Sequence, residues 1–203
     1  MRSALLLATY FAALTGSIAR GGDALTVLVD GDPASPAILQ AMESEADAAL
    51  APAGIKLVWK WGHELDGKAV SGQLALVHLR GQCRPASPVH NVSHSSSPLG
   101  QTHIVDGQVL PIADILCDAV RKLIDRDLRV AASEDRDKLL GRAIGRVTAH
   151  ELYHILLRTT SHSHEGLARY AQSAAELLAP RHSFSGPDQR KIAQFALVTA
   201  DAE

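Results

Sequence analysis

Between Leu140 and His154 the chain places an apolar stripe and then three ionisable residues on one side of a single helix. Leu140, Ala143, Ile144 and Val147 recur at three- and four-residue spacing, the pattern of a helix that buries one face. At 100° per residue, His150, Glu151 and His154 continue that stripe, while Arg142 and Arg146 fall on the far side. Two imidazoles and a carboxylate on an inward face are costly unless something satisfies them. A bound cation would do so, because side chains four apart on a helix point the same way and can reach one ion. This segment therefore demands a helix, expected over about 134–157, that packs by one face yet keeps the end of that face open.

His150-Glu151-Leu152-Tyr153-His154 is an HExxH pattern. Chance alone yields it in roughly 2% of chains of this composition, so the helical context carries as much weight as the pattern itself. The bland alternatives are a solvent-exposed helix end, or core histidines bonded to backbone. The ten histidines of the chain, set against two cysteines, crowd the same region, with half of them between His150 and His182. A hydrolytic zinc takes three protein ligands and keeps a fourth position open. His162 is favoured as the third, because seven residues after His154 allow the chain to leave the helix and turn back. His164 and Glu176 are its rivals.

Three other patterns draw less weight. His63-Glu64-Leu65 has Gly67 where a second helical ligand would stand, and reads as a turn after a strand. His90 and His94 lie in a Ser/Pro-rich stretch that argues against a helix. Asn91-Val92-Ser93 fits a glycosylation sequon.

The flanking sequence predicts alternating elements. Residues 24–30 are apolar and β-branched, a buried strand ended by Gly31-Asp32-Pro33. Ser35 and Pro36 then open a helix to about Leu50. Strands are expected at 55–61 and 74–79, a loop over 84–101, and a hairpin of 102–105 and 108–110 around Asp106-Gly107. Helices are expected over about 112–126, 134–157, 166–179 and 187–198, with a polar loop at 159–165. The 203 residues suffice for one sizeable core and are short for two.

The first 19 residues read apart from this pattern. Arg2, an apolar run from Ala4 to Leu14, and Ser17-Ile18-Ala19 match a secretory signal peptide, with the run too short for a confident membrane span. The expected organisation is a leader at 1–19, a single domain at 20–203, and a secreted or periplasmic protein free of the membrane after cleavage. In an oxidising compartment Cys83 and Cys117 are expected to form one disulfide, two buried thiols being the alternative. Twenty basic against 22 acidic residues and 4% aromatics speak against nucleic acid as a partner.

HExxH on a long helix, a downstream histidine and a preceding β-α-β-β-hairpin order resemble the zincin metallopeptidases, the metzincin branch above all. The run Gly145-Arg146-Val147-Thr148-Ala149-His150-Glu151-Leu152-Tyr153-His154-Ile155, with Thr160, His162, Gly166 and Ala168, is similar to small exported bacterial zinc metallopeptidases. The stretch from Leu99-Gly100 to Cys117 is similar to them too, so the resemblance covers roughly 74–178. It implies an α/β (α+β) zincin-like domain, with a small mixed sheet packed on a long HExxH active-site helix and a helical C-terminal part. It also implies a metal site of His150, His154 and His162 holding Zn²⁺, and a peptide or protein substrate. The chain departs from the metzincin pattern at Leu157, where Gly is usual, at Thr160, where the third His is usual, and at Gly166-Leu167-Ala168, which has no Met.

The resulting expectation is a monomeric zinc metalloendopeptidase in which Glu151 acts as general base on zinc-bound water. The strand near Thr102–Val105 would line the cleft and pair with an extended substrate. Tyr153 and Tyr170 are candidates to steady an oxyanion, with packing the more ordinary role for each. A secreted zinc-binding protein without turnover, and a structural domain without metal, are the competing expectations.

Overall fold

The computed structural model describes residues 24–31, 35–62, 72–85 and 98–200, with side chains described as far as 194. The expected leader at 1–19, His63 and Glu64, the His90/His94 pair and the Asn91 sequon lie outside the described residues. The elements run β1 (Ala24–Gly31), α1 (Pro36–Leu50), β2 (Lys56–Trp61), β3 (Gln73–Arg80), β4 (Gly100–Val105), β5 (Gln108–Leu116), α2 (Cys117–Leu123), α3 (Asp125–Val130), α4 (Ser133–Leu157), α5 (Ala174–Leu178) and α6 (Gly186–Ala200). The strands form one sheet in the order β2-β1-β3-β5-β4. All neighbours in it are parallel except the β4–β5 hairpin. The molecule is thus mixed α/β, with a mostly parallel sheet and a helical C-terminal part.

Period-two alternation decides which strand residues face the helices. Leu25, Val27 and Val29 of β1, Ala75, Val77 and Leu79 of β3, and Ala113 and Ile115 of β5 are all buried. The register sets Val29 beside Val77, Val77 beside Ala113 and Leu79 beside Ile115, so they form one continuous apolar face. Ile38, Met42, Ala46 and Leu50 of α1 and Leu140 and Ile144 of α4 complete that core. The start of α1 forms as its sequence demands: Ser35 Oγ accepts from the Ile38 N–H at 3.3 Å, and Pro36 occupies the first turn. The Asp106-Gly107 turn has positive φ at both residues, 51° and 76°, which suits a two-residue hairpin.

Helices α1 and α4 approach closely because Gly141 and Gly145, four apart, face α1. A Cβ at either position would run into the backbone carbonyl of Ile38 or Met42. The side of α4 carrying Arg142 and Arg146 is not a solvated face. Arg146 is 2% exposed; it pairs with Glu45 of α1 at 3.0 Å and donates to the Glu176 and Leu177 carbonyls, both at 2.9 Å. Arg142 meets the same Glu45 at 2.8 Å. The helix is therefore buried almost all round from Leu140 to Leu156, not along one stripe alone.

Three segments differ from the sequence expectation, one being the separate helix α3 (Asp125–Val130), which runs past the helix end expected near 126. Ile112–Leu116 is the second half of β5, not the start of a helix. Its spacing fits either period, but pairing with β3 on one side and β4 on the other satisfies its backbone, and burial of Ala113, Asp114 and Ile115 suits an interior strand. The helix expected over 166–179 is instead a 3₁₀ turn at Gly166–Ala168 and a separate short helix α5. Ser173 caps α5 and pairs reciprocally with Glu176 in a capping box, so the helix starts there.

Cys83, just past β3, is bonded to Cys117 at the first residue of α2, just past β5. Parallel pairing of β3 with β5 brings these ends together. A 34-residue separation gives about 4 kcal/mol in the loop-entropy model. The double variant C83A/C117A is expected to unfold at lower urea by roughly 2–4 kcal/mol. An unchanged urea midpoint would show that the bridge contributes nothing to stability. No helix among the described residues is long and apolar enough to cross a membrane.

Candidate metal centre

The last turns of α4 carry His150, Glu151 and His154 towards β4 and a cleft of about 540 Å³. The helix stops at Leu157, and Arg158 adopts a left-handed φ of 47° that reverses the chain. The returning loop sets His162 against the helix. His154 Nε2 lies 3.1 Å from His150 Nε2 and 3.2 Å from His162 Nε2, and the three ligand atoms all fall within 4.8 Å of one another.

The other ring nitrogens determine what these Nε2 atoms are. His150 Nδ1 lies 2.6 Å from the Leu167 carbonyl oxygen, and His154 Nδ1 lies 2.8 Å from that of Thr159. A carbonyl can only accept, so both Nδ1 atoms must carry the proton and donate. In the neutral rings both Nε2 atoms then bear lone pairs. They face each other at 3.1 Å, where neither can donate to the other. A cation between them resolves that opposition, and backbone carbonyls behind metal-bound imidazoles are the usual means of fixing tautomer and ring orientation. Burial depresses all three histidine pKa values, that of His150 to about 4, so the rings are neutral and able to ligate at pH 7. Three imidazoles beside an open cleft form a set that could hold a metal ion.

Of the three candidates for third ligand, His162 joins the pair. His164 is exposed and outside the group. Glu176 is engaged elsewhere: its carboxylate receives the Ser173 N–H at 2.8 Å and pairs with Arg169 at 2.6 Å. Those hydrogen bonds from Ser173, together with Arg169, hold its carboxyl below the usual range. Tyr153 is buried and stacks on Phe184 with centroids 5.6 Å apart, which is a packing role. Tyr170 is 83% exposed at the cleft edge, its ring set edgewise on His162.

Glu151 is 4% exposed. Burial pushes its carboxyl up to about 7, although hydrogen bonds from the side chain and backbone of Thr102 work the other way. Thr102 Oγ1 donates to Glu151 Oε2 at 2.7 Å. The cleft beside this carboxylate is walled by Leu99, Ile104, Val109, Leu123 and Val147, and on the far side by Thr160, Tyr170 and Gln172.

Several supports have no signature in the sequence. The 3₁₀ turn at 166–168 presents the Leu167 carbonyl to His150, and Gln172 Nε2 donates to the same oxygen at 3.2 Å. His182 in turn bonds Gln172 Oε1 at 2.8 Å. The loop bearing His162 is held through its neighbour: the Ser163 N–H donates to the Ala168 carbonyl at 2.8 Å, and Ser163 Oγ donates to Asp188 at 2.6 Å. Asp188 is 1% exposed in the first turn of α6. The only sequence signal for it is Ser185 three residues before it, a helix-start pattern. D188N is expected to weaken metal binding by less than the roughly tenfold to hundredfold typical of a group bonded directly to a ligand, because Asp188 acts through Ser163. Competition with a chelator of known affinity measures this, and unchanged affinity would mean that the loop holds itself.

No protein-family model matches the chain, and no curated protein or solved structure matches it.

Proposed function

We propose that the protein is a zinc-dependent metallopeptidase of the zincin type that hydrolyses peptide bonds in peptide or protein substrates. The observation that carries this reading is the convergence of two imidazole lone pairs, with a third imidazole beside them, next to a buried glutamate in an open cleft. Zinc held by His150, His154 and His162 would acidify a water and polarise a substrate carbonyl.

The remaining chemistry belongs to the chain. Glu151 takes a proton from the attacking water and passes it to the leaving amine. Its raised pKa of about 7 suits a group that must both accept and release a proton near neutrality. Strand β4 is the edge of the sheet next to the cleft, so an extended peptide can add to it through main-chain hydrogen bonds. The apolar cleft wall accommodates a side chain of that peptide. The disulfide accords with an oxidising compartment and with export.

The decisive experiment is metal analysis of the purified chain, followed by incubation of zinc-loaded protein with an unbiased peptide mixture. One zinc per chain and cleavage products are expected, with E151Q reducing turnover about a hundredfold to ten-thousandfold while keeping its zinc. Cleavage that survives in zinc-loaded E151Q would overturn the mechanism. Stoichiometric zinc without any turnover would leave a zinc-binding protein in its place.

A further inference from the structure

Glu151 sits on α4, but what holds its carboxylate comes from β4. Residues 100 and 102 of that strand lie on one face of it, aligned with Ile115 and Ala113 of β5. Both address Glu151. The Thr102 hydroxyl has one proton, and it stands 2.7 Å from Glu151 Oε2 and 3.3 Å from the Glu151 carbonyl oxygen, so the carboxylate takes the better bond. Thr102 is the one hydrogen-bond partner of this carboxylate among the described residues. The second oxygen lies beside Gly100. A Cβ there would stand 2.8 Å from Glu151 Oε1 and 3.0 Å from both Glu151 Cγ and Val147 Cγ1. No side chain larger than hydrogen fits without moving the glutamate.

The strand itself is fixed from its other face. Gln101 and His103 both reach Asp114 Oδ2, at 3.3 and 3.0 Å, and Arg80 bonds Oδ1 at 3.0 Å. The β4–β5 register also shifts between Thr102 and Ile104. Such irregularities re-aim a side chain locally. The result is a strand pinned on one side by Asp114 and gripping Glu151 on the other, with the Thr102 hydroxyl on Oε2 and Gly100 making room for Oε1.

From this we infer that Thr102 and Gly100 are positioning residues for Glu151: Thr102 holds the carboxylate through its hydroxyl on Oε2 with help from its backbone, and the missing side chain at Gly100 leaves the room that Oε1 occupies. The inference rests on the hydrolytic reading of the site.

The test compares zinc-loaded wild type, T102V, T102S and G100A. T102V keeps the shape of threonine and removes the donor. It is expected to lower kcat about tenfold to a hundredfold with KM and zinc content unchanged. T102S keeps the hydroxyl and is expected within about threefold of wild type. G100A is expected to match T102V in kcat, because its Cβ displaces the carboxylate. Crystal structures of zinc-loaded wild type and T102V should show the Glu151 carboxylate bonded to Thr102 in the first and turned away in the second. Equal activity in T102V and wild type, equal impairment in T102S and T102V, or an unmoved carboxylate in T102V would each overturn the inference. Absence of turnover in the wild type would overturn the hydrolytic reading instead, and the carboxylate's orientation in the two crystal structures would then decide the positioning role alone.

Discussion

H154A is expected to bind zinc far more weakly than wild type. His154 is the centre of the cluster: its Nε2 is the atom that lies near both others, and its ring is 6% exposed. If a binding free energy of roughly 10–16 kcal/mol is shared among three ligands, losing one weakens affinity by about a few hundredfold to several thousandfold. H150A should follow closely, since the Leu167 carbonyl holds that ring in place. H162A should cost least, because its ring is exposed on a loop and receives its support through Ser163. The same order should appear in thermal unfolding. Zinc at a thousandfold excess over its dissociation constant stabilises a native protein by about 4 kcal/mol, and this increment should vanish in H154A. Zinc titrations followed by calorimetry and melting curves measure both quantities. Equal affinity in H154A and wild type would mean that the ion, if any, sits elsewhere.

E151Q is expected to stabilise the metal-free protein, and to do so only above acidic pH. The folded Glu151 carboxyl titrates at about 7 against an ordinary value of 4.5. Between those values the unfolded chain has released the proton while the native side chain still holds it. Native stability therefore falls as pH rises through that window. The shift corresponds to about 3 kcal/mol once both states are ionised. Glutamine removes this contribution, so E151Q and wild type should unfold alike at pH 4, with the variant more stable by up to about 3 kcal/mol at pH 8. His150 acts in the opposite direction. Its folded value of about 4 lies below the ordinary 6.5, so stability is lost as pH falls through that window, because the unfolded chain takes up a proton that the native ring refuses. His154 and His162, also depressed by burial, act the same way as His150, so in the wild type the Glu151 effect offsets only part of the histidine effect. In E151Q the histidine effect stands alone, and acid should destabilise the variant more steeply. Urea unfolding at pH 4, 6 and 8 in the presence of a chelator tests this. A stability difference that does not change with pH would refute it.

Much of the site is legible in the sequence. His150, Glu151 and His154 lie within one helical turn, so their common side follows from a rise and a rotation per residue and needs no tertiary information. Of the three candidates for a third ligand, only His162 is brought beside the pair, by how Arg158 reverses the chain and how Ser163 is tied to Asp188. Glu176 drops out for a local reason that the sequence does contain, since Ser173 three residues earlier makes a capping box. The zincin resemblance depends on the motif helix and on the order of elements, and it remains part of the proposal.

Local chemistry also determined most of the elements. Ser35-Pro36 starts α1, Asp106-Gly107 turns the hairpin, and the β-branched run of β1 makes an interior strand, because caps, turns and pleats act between near neighbours. Contacts distant in sequence decided the rest. Ile112–Leu116 became strand because β3 and β4 offered it backbone partners on both sides. Arg146 became a buried link between Glu45 and the carbonyls of α5, although its spacing placed it opposite the apolar stripe. The grip of Thr102 on Glu151 spans 49 positions, and that of Ser163 on Asp188 spans 25. Helical periodicity thus specified where two imidazoles and a carboxylate would stand relative to one another. Which third ligand meets them, which carbonyls orient them and which strand holds the glutamate depended on segments that meet only when the sheet and helices pack, and no periodicity in one chain segment encodes such a meeting.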